Sequence, residues 1–334
     1  MKKYVVLVFA VFLLSCESLF MKPQPENTPK SIFDQVWTFV NEKYAFFEYK
    51  NVDWKQIYNK FQTRISDNMS DEELFQVCYD MLYELKDEHT NLISKFNVSR
   101  NPEVFLDYPE NYSGDILNRN YFKGRTQIVS PFSYFDFGDV AYFRYDSFID
   151  SISDEALDYI LEKAKTKKGL ILDVRNNGGG AVINIDKLAS RFISDTTLLG
   201  TEFHKNGPGK NDFVEEKSEI YPAKDVETYL DKPLVILTNR GCYSATNMFA
   251  AFMKGLQNVK LIGGKTGGGG GLPTATELSN GWILRVSGSK TLDRNGFNIE
   301  NGVDPDIKID MTKGDIDKGK DTILEEAMKV IRKS

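Results

Sequence analysis

The chain contains only two histidines, His89 and His204, and three cysteines in 334 residues. Two histidines are too few for a histidine-rich metal centre and leave few side chains that carry protons near neutral pH. Three cysteines cannot build a disulfide framework. One of them, Cys16, is assigned to processing below, so Cys78 and Cys242 remain and the fold must stand on packing. Neither a metal nor a cofactor is expected. Positive charge is also in deficit: 42 Lys and Arg against 48 Asp and Glu give a formal charge of −6. Such a balance speaks against a nucleic-acid partner. What the chain does have is 41% hydrophobic and 27% charged residues, enough for the core of one large domain or two modest ones. Disorder is excluded as the main state.

The start, MKKYVVLVFAVFLLSC, sets Lys2 and Lys3 before an apolar run from Val5 to Leu14. The run is too short to span a bilayer and suits the core of an export signal, residues 1–15. Removal of both lysines with this segment would take the formal charge to about −8. Leu13-Leu14-Ser15-Cys16 resembles the lipobox of bacterial lipoproteins, in which the cysteine becomes the lipidated first residue. Several acyl chains at Cys16 would hold the protein stably on a membrane while its body stays in water. The expected place is the bacterial cell envelope, on the outer membrane, facing the periplasm or the surface. An ordinary secretory signal with a chance cysteine is the plainer alternative. Residues 16–30, with prolines 23, 25 and 29, read as a tether.

Residues 31–95 carry helical periodicity in three segments, the expected small helical bundle. The first repeats Ile32, Phe33, Val36, Trp37 and Val40; the second follows Asp53 as cap and repeats Trp54, Ile57, Tyr58, Phe61 and Ile65. The third opens on Ser70 and Glu73 as a capping box and ends near KDEHT. Residues 96–138 read as irregular, with a strand at Thr126 to Val129. From 139 to 334 strands and helices alternate, the mark of an α/β domain. Strands are expected at Val140–Phe143, Gly169–Val174, Leu234–Thr238 and Val259–Ile262. Helices are expected after Ser153, from Val182, and from Ser244 to about Lys254. Asn280-Gly281 signals a hairpin, and Thr322 with Glu325 a final capped helix.

Two glycine tracts, NNGGG at 176–180 and GGKTGGGGG at 263–271, follow apolar strands. A phosphate loop ending in Gly264-Lys265-Thr266 fails because position 259 is Val259 rather than glycine. NNGGG likewise lacks the dinucleotide spacing. The tracts are then either tight turns or loops whose N–H groups bind a carbonyl oxygen as it becomes negative. Ser244 lies where a buried strand passes through a short loop into a helix, a place that suits a nucleophile and equally an N-cap. A nucleophilic serine needs a base in reach. His89 is the better candidate, since His204 lies among Lys205, Asn206 and Gly207 in an expected surface loop.

Taken in order, LKDEHT, LILDVRNNGGG, TNRGCYSATNMFA, GGKTGGGGG and NIENGVDPDI resemble the serine peptidases related to tricorn protease, to the C-terminal processing peptidases and to the repeats of interphotoreceptor retinoid-binding protein. The resemblance runs from about Ile32 to Ile309. It implies a ClpP/crotonase-like α/β catalytic domain preceded by a helical bundle. It also implies Ser244 as nucleophile, His89 as general base and Glu300 as the carboxylate supporting the histidine. The oxyanion donors would be the N–H of Ala245 and a glycine among Gly178 and Gly179 or their neighbour Gly180. The processing peptidases use a lysine base, but ungapped transfer of that segment puts Gly269 at the lysine and Asn247 at its glutamate, with Lys265 four residues short. The histidine-using, tricorn-like branch is therefore expected. Asp304 and Asp306 compete with Glu300. Relatives often carry a PDZ domain after the histidine; about fifty residues separate His89 from Val140, too few for one, so none is expected.

The expected protein is an exported, lipid-anchored serine peptidase acting on peptides or unfolded chain segments. A catalytically silent relative, binding peptides or apolar ligands in the same cleft, is the rival from another class. An acyl-CoA enzyme of crotonase type ranks last, because it needs no serine nucleophile. The oligomeric state is not legible in the sequence.

Overall fold

A computed structural model of the chain describes residues 25–334. The expected export signal, Cys16 and most of the tether lie outside the described residues. No described helix is long and apolar enough to cross a membrane.

Three helices open the structure: α1 (Pro29–Lys43), α2 (Trp54–Phe61) and α3 (Asp71–Tyr83). Each starts where local chemistry supplies an oxygen for an orphan N–H. Thr28 caps α1, with Pro29 inside its first turn, so the helix begins slightly before Ser31. Asp53 caps α2, and Ser70 with Glu73 forms the expected capping box on α3. The apolar stripes meet in a core of Ile32, Phe33, Val36, Phe75 and Met81. That core does not close on itself: Leu278, Trp282, Leu284 and Val286, some two hundred residues on, complete it. They come from the hairpin of β10 (Pro273–Glu277) and β11 (Ile283–Ser287), turned at Asn280-Gly281 as expected. A short strand, β1 (Asn91–Ile93), pairs antiparallel with β11 and fixes the helical region to the rest of the chain.

The α/β body is built on a seven-stranded sheet in the order β13-β9-β8-β5-β4-β3-β2. Its strands are β2 (Gln127–Val129), β3 (Phe132–Asp136), β4 (Val140–Tyr145), β5 (Gly169–Asp173), β8 (Leu234–Thr238), β9 (Val259–Gly263) and β13 (Ile307–Lys308). From β4 to β13 the neighbours are parallel, and β2 and β3 add antiparallel. Strands β4, β5 and β8 are buried throughout because both faces are covered, which is why they read as unbroken apolar runs. One face packs on α4 (Asp154–Lys165), α5 (Ile183–Ala189) and α6 (Ala245–Met253) through Leu172, Ile236, Ile160, Ile185 and Phe249. The other packs on α7 (Thr322–Lys333) through Ile171, Val235, Leu324 and Met328.

A third sheet, in the order β12-β6-β7, joins β6 (Thr197–Lys205), β7 (Phe213–Ile220) and β12 (Ser289–Asp293). Several sequence expectations change here. His204 is in β6 and not in a loop; its Nε2 faces Glu202 at 3.2 Å and Glu216 at 3.7 Å. The segment 96–138, expected to be irregular apart from one strand, also contains β3. The cap of α7 is Asp321, whose carboxylate accepts from the Leu324 N–H, while Thr322 donates to Asp315.

Candidate active site

Sheet order explains why the motifs meet. Strands β5, β8 and β9 are parallel neighbours, so the loops leaving their C-terminal ends converge on one edge. Those loops are NNGGG, TNRGCYS and the long glycine tract.

Ser244 stands at the head of α6 with φ 57° and ψ −122°, a conformation uncommon for a residue with a Cβ and costing about 1–3 kcal/mol. Surrounding hydrogen bonds hold it there. The Ser244 N–H donates to the Gly268 carbonyl at 2.9 Å, and the Tyr243 N–H to the Asn177 carbonyl at 3.2 Å. The serine does not cap α6, and among the described residues its hydroxyl has no hydrogen-bond partner. Behind it, α6 is buried along its whole length, so its N-terminal dipole works in a poorly solvated setting.

Two N–H groups in the nucleophile and glycine loops have no acceptor among the described residues, those of Ala245, directly after the serine, and of Gly178. The third candidate is different: the Gly179 N–H donates to Asn177 Oδ1 at 3.0 Å. The same oxygen accepts from Thr246 Oγ at 2.7 Å, and Asn177 Nδ2 donates to the Tyr145 carbonyl at 3.0 Å. Asn177 thus ties β4, the glycine loop and the first turn of α6 together. Gly179 has φ 96°, and a Cβ on it would lie 2.8 Å from that of Ser244.

His89 comes from a turn rather than from the end of α3. Asp87 Oδ1 accepts from the His89 N–H at 2.9 Å and shapes that turn, and β1 follows directly. The imidazole is buried against the ring of Tyr243, the residue before Ser244, with centroids 4.9 Å apart. Its Nδ1 is buried without a partner. No hydrogen bond joins His89 to Ser244 Oγ among the described residues. Burial pushes the imidazole below its ordinary range, and Arg285 and Lys50 add to this; the Asp87 carboxylate and the Gly271 carbonyl favour the charged form.

Glu300 enters the same buried cluster, and among the described residues no hydrogen bond joins it to His89. Its Oε1 pairs with Lys50 Nζ at 2.7 Å and its Oε2 accepts from the Gly270 N–H at 2.8 Å. Burial lifts the Glu300 carboxyl to about 7, with nearby Asp87 pushing the same way against Lys50. Asp87 is buried too, yet Lys50, His89 and the Ser287 hydroxyl, bonded at 2.7 Å, hold it below the usual carboxylate range. Of the competitors, Asp306 accepts from the Leu261 N–H and Asp304 faces Lys265 at 3.7 Å. Asn247 accepts from Thr266 Oγ at 2.6 Å and donates to the Ile299 carbonyl.

Asp87, Lys50 and Asn177 were not singled out in the sequence. Asp87 left a signal, an acid two residues before the histidine, where its side chain can take the i+2 N–H. Asn177 stands inside NNGGG, a motif in which only the glycines mark a backbone role. Lys50 left none.

The model for Peptidase family S41 matches residues 139–309, half of the chain. The chain belongs to peptidase family S41. A second model, the tricorn protease C1 domain, matches residues 25–83 of this S41 chain, the helical region. Among curated relatives, a "Probable CtpA-like serine protease" of Staphylococcus saprophyticus is 31% identical over 185 residues, 54% of this chain and 36% of that protein. The chain thus spans about a third of the length of the curated relatives it matches. A structure from Parabacteroides merdae ATCC 43184, described as a candidate peptidase, is 39% identical with a TM-score of 0.87, covering 92% of this chain and 97% of that one. Tricorn protease shares the fold at 17% identity and a TM-score of 0.59, covering 92% of this chain and 37% of its own.

Proposed function

We propose that this chain is an exported, lipid-anchored serine peptidase of the tricorn-like branch, acting on peptides or unfolded protein segments. One observation carries the reading. A strained serine, whose hydroxyl has no partner among the described residues, stands at the head of a buried helix beside the acceptor-free Ala245 N–H, with the glycine loop packed against its Cβ.

In this mechanism Ser244 Oγ attacks a peptide carbonyl carbon while its proton passes to His89. The carbonyl oxygen becomes negative and is held by the N–H groups of Ala245 and Gly178, each such donor being worth about a hundredfold or more in rate. The C–N bond then breaks as the imidazolium returns the proton to the leaving amine, and water resolves the acyl-enzyme by the same route. Proton transfer requires serine and histidine to come within hydrogen-bond reach in the substrate complex, where catalytic hydrogen bonds commonly tighten. The carboxylate that stabilises the imidazolium is Asp87. Glu300 acts at one remove, as a member of the same buried cluster. The histidine branch is favoured over the lysine branch because Gly269 and Asn247 occupy the positions of the lysine and its glutamate. Export and anchoring rest on the lipobox-like Leu13-Leu14-Ser15-Cys16.

The test is hydrolysis of an unfolded fluorogenic casein by the soluble body, residues 25–334, as wild type, Ser244→Ala and His89→Ala. Loss of activity in both variants with unchanged melting supports the reading. Full activity in Ser244→Ala overturns it, and an inactive wild type favours the silent binding protein. For the anchor, metabolic labelling with a radioactive fatty acid should mark the full chain and not Cys16→Ala.

A further inference from the structure

Lys50 belongs to none of the motifs, yet it is the cation on which the buried acid cluster closes. It lies in the loop between α1 and α2, with its ammonium carried inward over the ring of Phe46 at 5.5 Å from the centroid. There it makes two polar contacts: Nζ to Glu300 Oε1 at 2.7 Å and to the Lys86 carbonyl at 3.0 Å. Each contact leads to a different half of the site. Lys86, held at φ 47°, begins the turn that carries Asp87 and His89. Glu300 holds the glycine tract by accepting the Gly270 N–H, and its own carbonyl accepts the Gly269 N–H at 3.1 Å. The next residue back, Gly268, receives the Ser244 N–H. Besides the packing of His89 on Tyr243, a chain of polar contacts runs from the base turn to the nucleophile loop, and Lys50 is its bridge.

On the serine-peptidase reading above, we propose that Lys50 is a positioning residue for catalysis, setting the place and the charge of His89 relative to Ser244 through Lys86 and Glu300. A largely buried ammonium paired with the Glu300 carboxylate, and within the field of Asp87, is poorly explained by stability alone. Ion pairs of this kind repay their desolvation only with good geometry, and an apolar side chain often serves as well. What an apolar residue cannot supply is the field. Asp87, Arg285 and Lys50 act on His89 directly, and Glu88, Glu300, Tyr44 and Tyr243 belong to the same cluster, with Glu88 paired to Arg100. Lys50 and Arg285 oppose the imidazolium and Asp87 favours it, so removing Lys50 makes the imidazole easier to protonate.

The experiment compares wild type, Lys50→Met and Lys50→Arg by kcat and KM against pH on the fluorogenic casein, with melting followed in parallel. Lys50→Met is expected to lower kcat at neutral pH by about tenfold or more with little change in KM, and to move the acid limb to higher pH. Lys50→Arg, which keeps the charge, should restore both at least in part. An acid limb in Lys50→Met that is unmoved or lies lower, or an unchanged kcat, overturns the proposal. If Lys50→Met does not unfold cooperatively, Lys50→Gln is read in the same way. The wild-type rate separates the two failures: an inactive wild type defeats the peptidase reading itself, whereas an active wild type with indifferent Lys50 variants defeats only this inference.

Discussion

Replacing Gly179 by alanine separates a site held by backbone contact from one held by loop composition. The residue has φ 96°, where an L side chain costs about 1–2 kcal/mol. The new methyl would also stand 2.6 Å from the Tyr243 carbonyl oxygen, 2.8 Å from Ser244 Cβ and 2.9 Å from the Ala245 nitrogen. Two of these atoms are backbone and the third, a Cβ, moves only with its backbone, which Asn177 and Gly268 pin, so no flexible side-chain end can yield. Reaching ordinary contact means a retreat of about 0.8 Å at the closest atom, an overpacking of about 1–3 kcal/mol. The total, about 2–5 kcal/mol, predicts a melting temperature lower by roughly 4–10 °C. A shift of this size at the nucleophile also predicts a kcat loss of about a hundredfold. Gly178→Ala is the control: a Cβ there meets nothing within 4 Å, so its melting should stay near wild type. The assays are calorimetry and steady-state hydrolysis. A Gly179→Ala protein that melts and turns over like wild type would refute the close approach of the glycine loop to Ser244.

Two further outcomes follow from the same geometry. Asn177→Ala frees the Gly179 N–H and strands the Thr246 hydroxyl; it should cost about 1–3 kcal/mol in urea unfolding and depress kcat more than KM. Because burial lowers the His89 pKa and the base must be neutral, kcat/KM should fall only as pH drops below 6.5, the ordinary imidazole value. The same shift adds a stability loss on that side, since below 6.5 the unfolded chain binds a proton that the folded histidine resists. A kcat/KM profile whose acid limb sets in above pH 6.5 would contradict the assignment of the base.

Much of the architecture was legible in the sequence for local reasons. The caps Asp53, Ser70 and Ser153 are side-chain to backbone bonds made within three residues, and β5, β8 and β9 are short apolar runs bounded by turn residues. The strands that escaped notice lack such signals. Strand β7 is exposed over most of its length, so its sequence does not alternate, and β6 mixes charge with apolar residues because only part of it is covered. His204, in that strand, carries no strand signal for that reason. At the site, Ser244, His89 and the glycine loops could be found because each stands in a distinctive run. The partners of Glu300 could not, since Lys50 approaches from 250 positions away through a fold-level contact. The helical core likewise borrows Trp282 and Leu284 from a distant hairpin, and no periodicity in either segment announces the other.

The central claim is that one serine, made reactive by its setting, carries the chemistry. Peptide mapping by mass spectrometry after treatment with a fluorophosphonate tests it directly. The account predicts a single phosphonyl adduct on Ser244, absent from Ser244→Ala and formed much more slowly in His89→Ala. An adduct on another residue, or none at all, would contradict it.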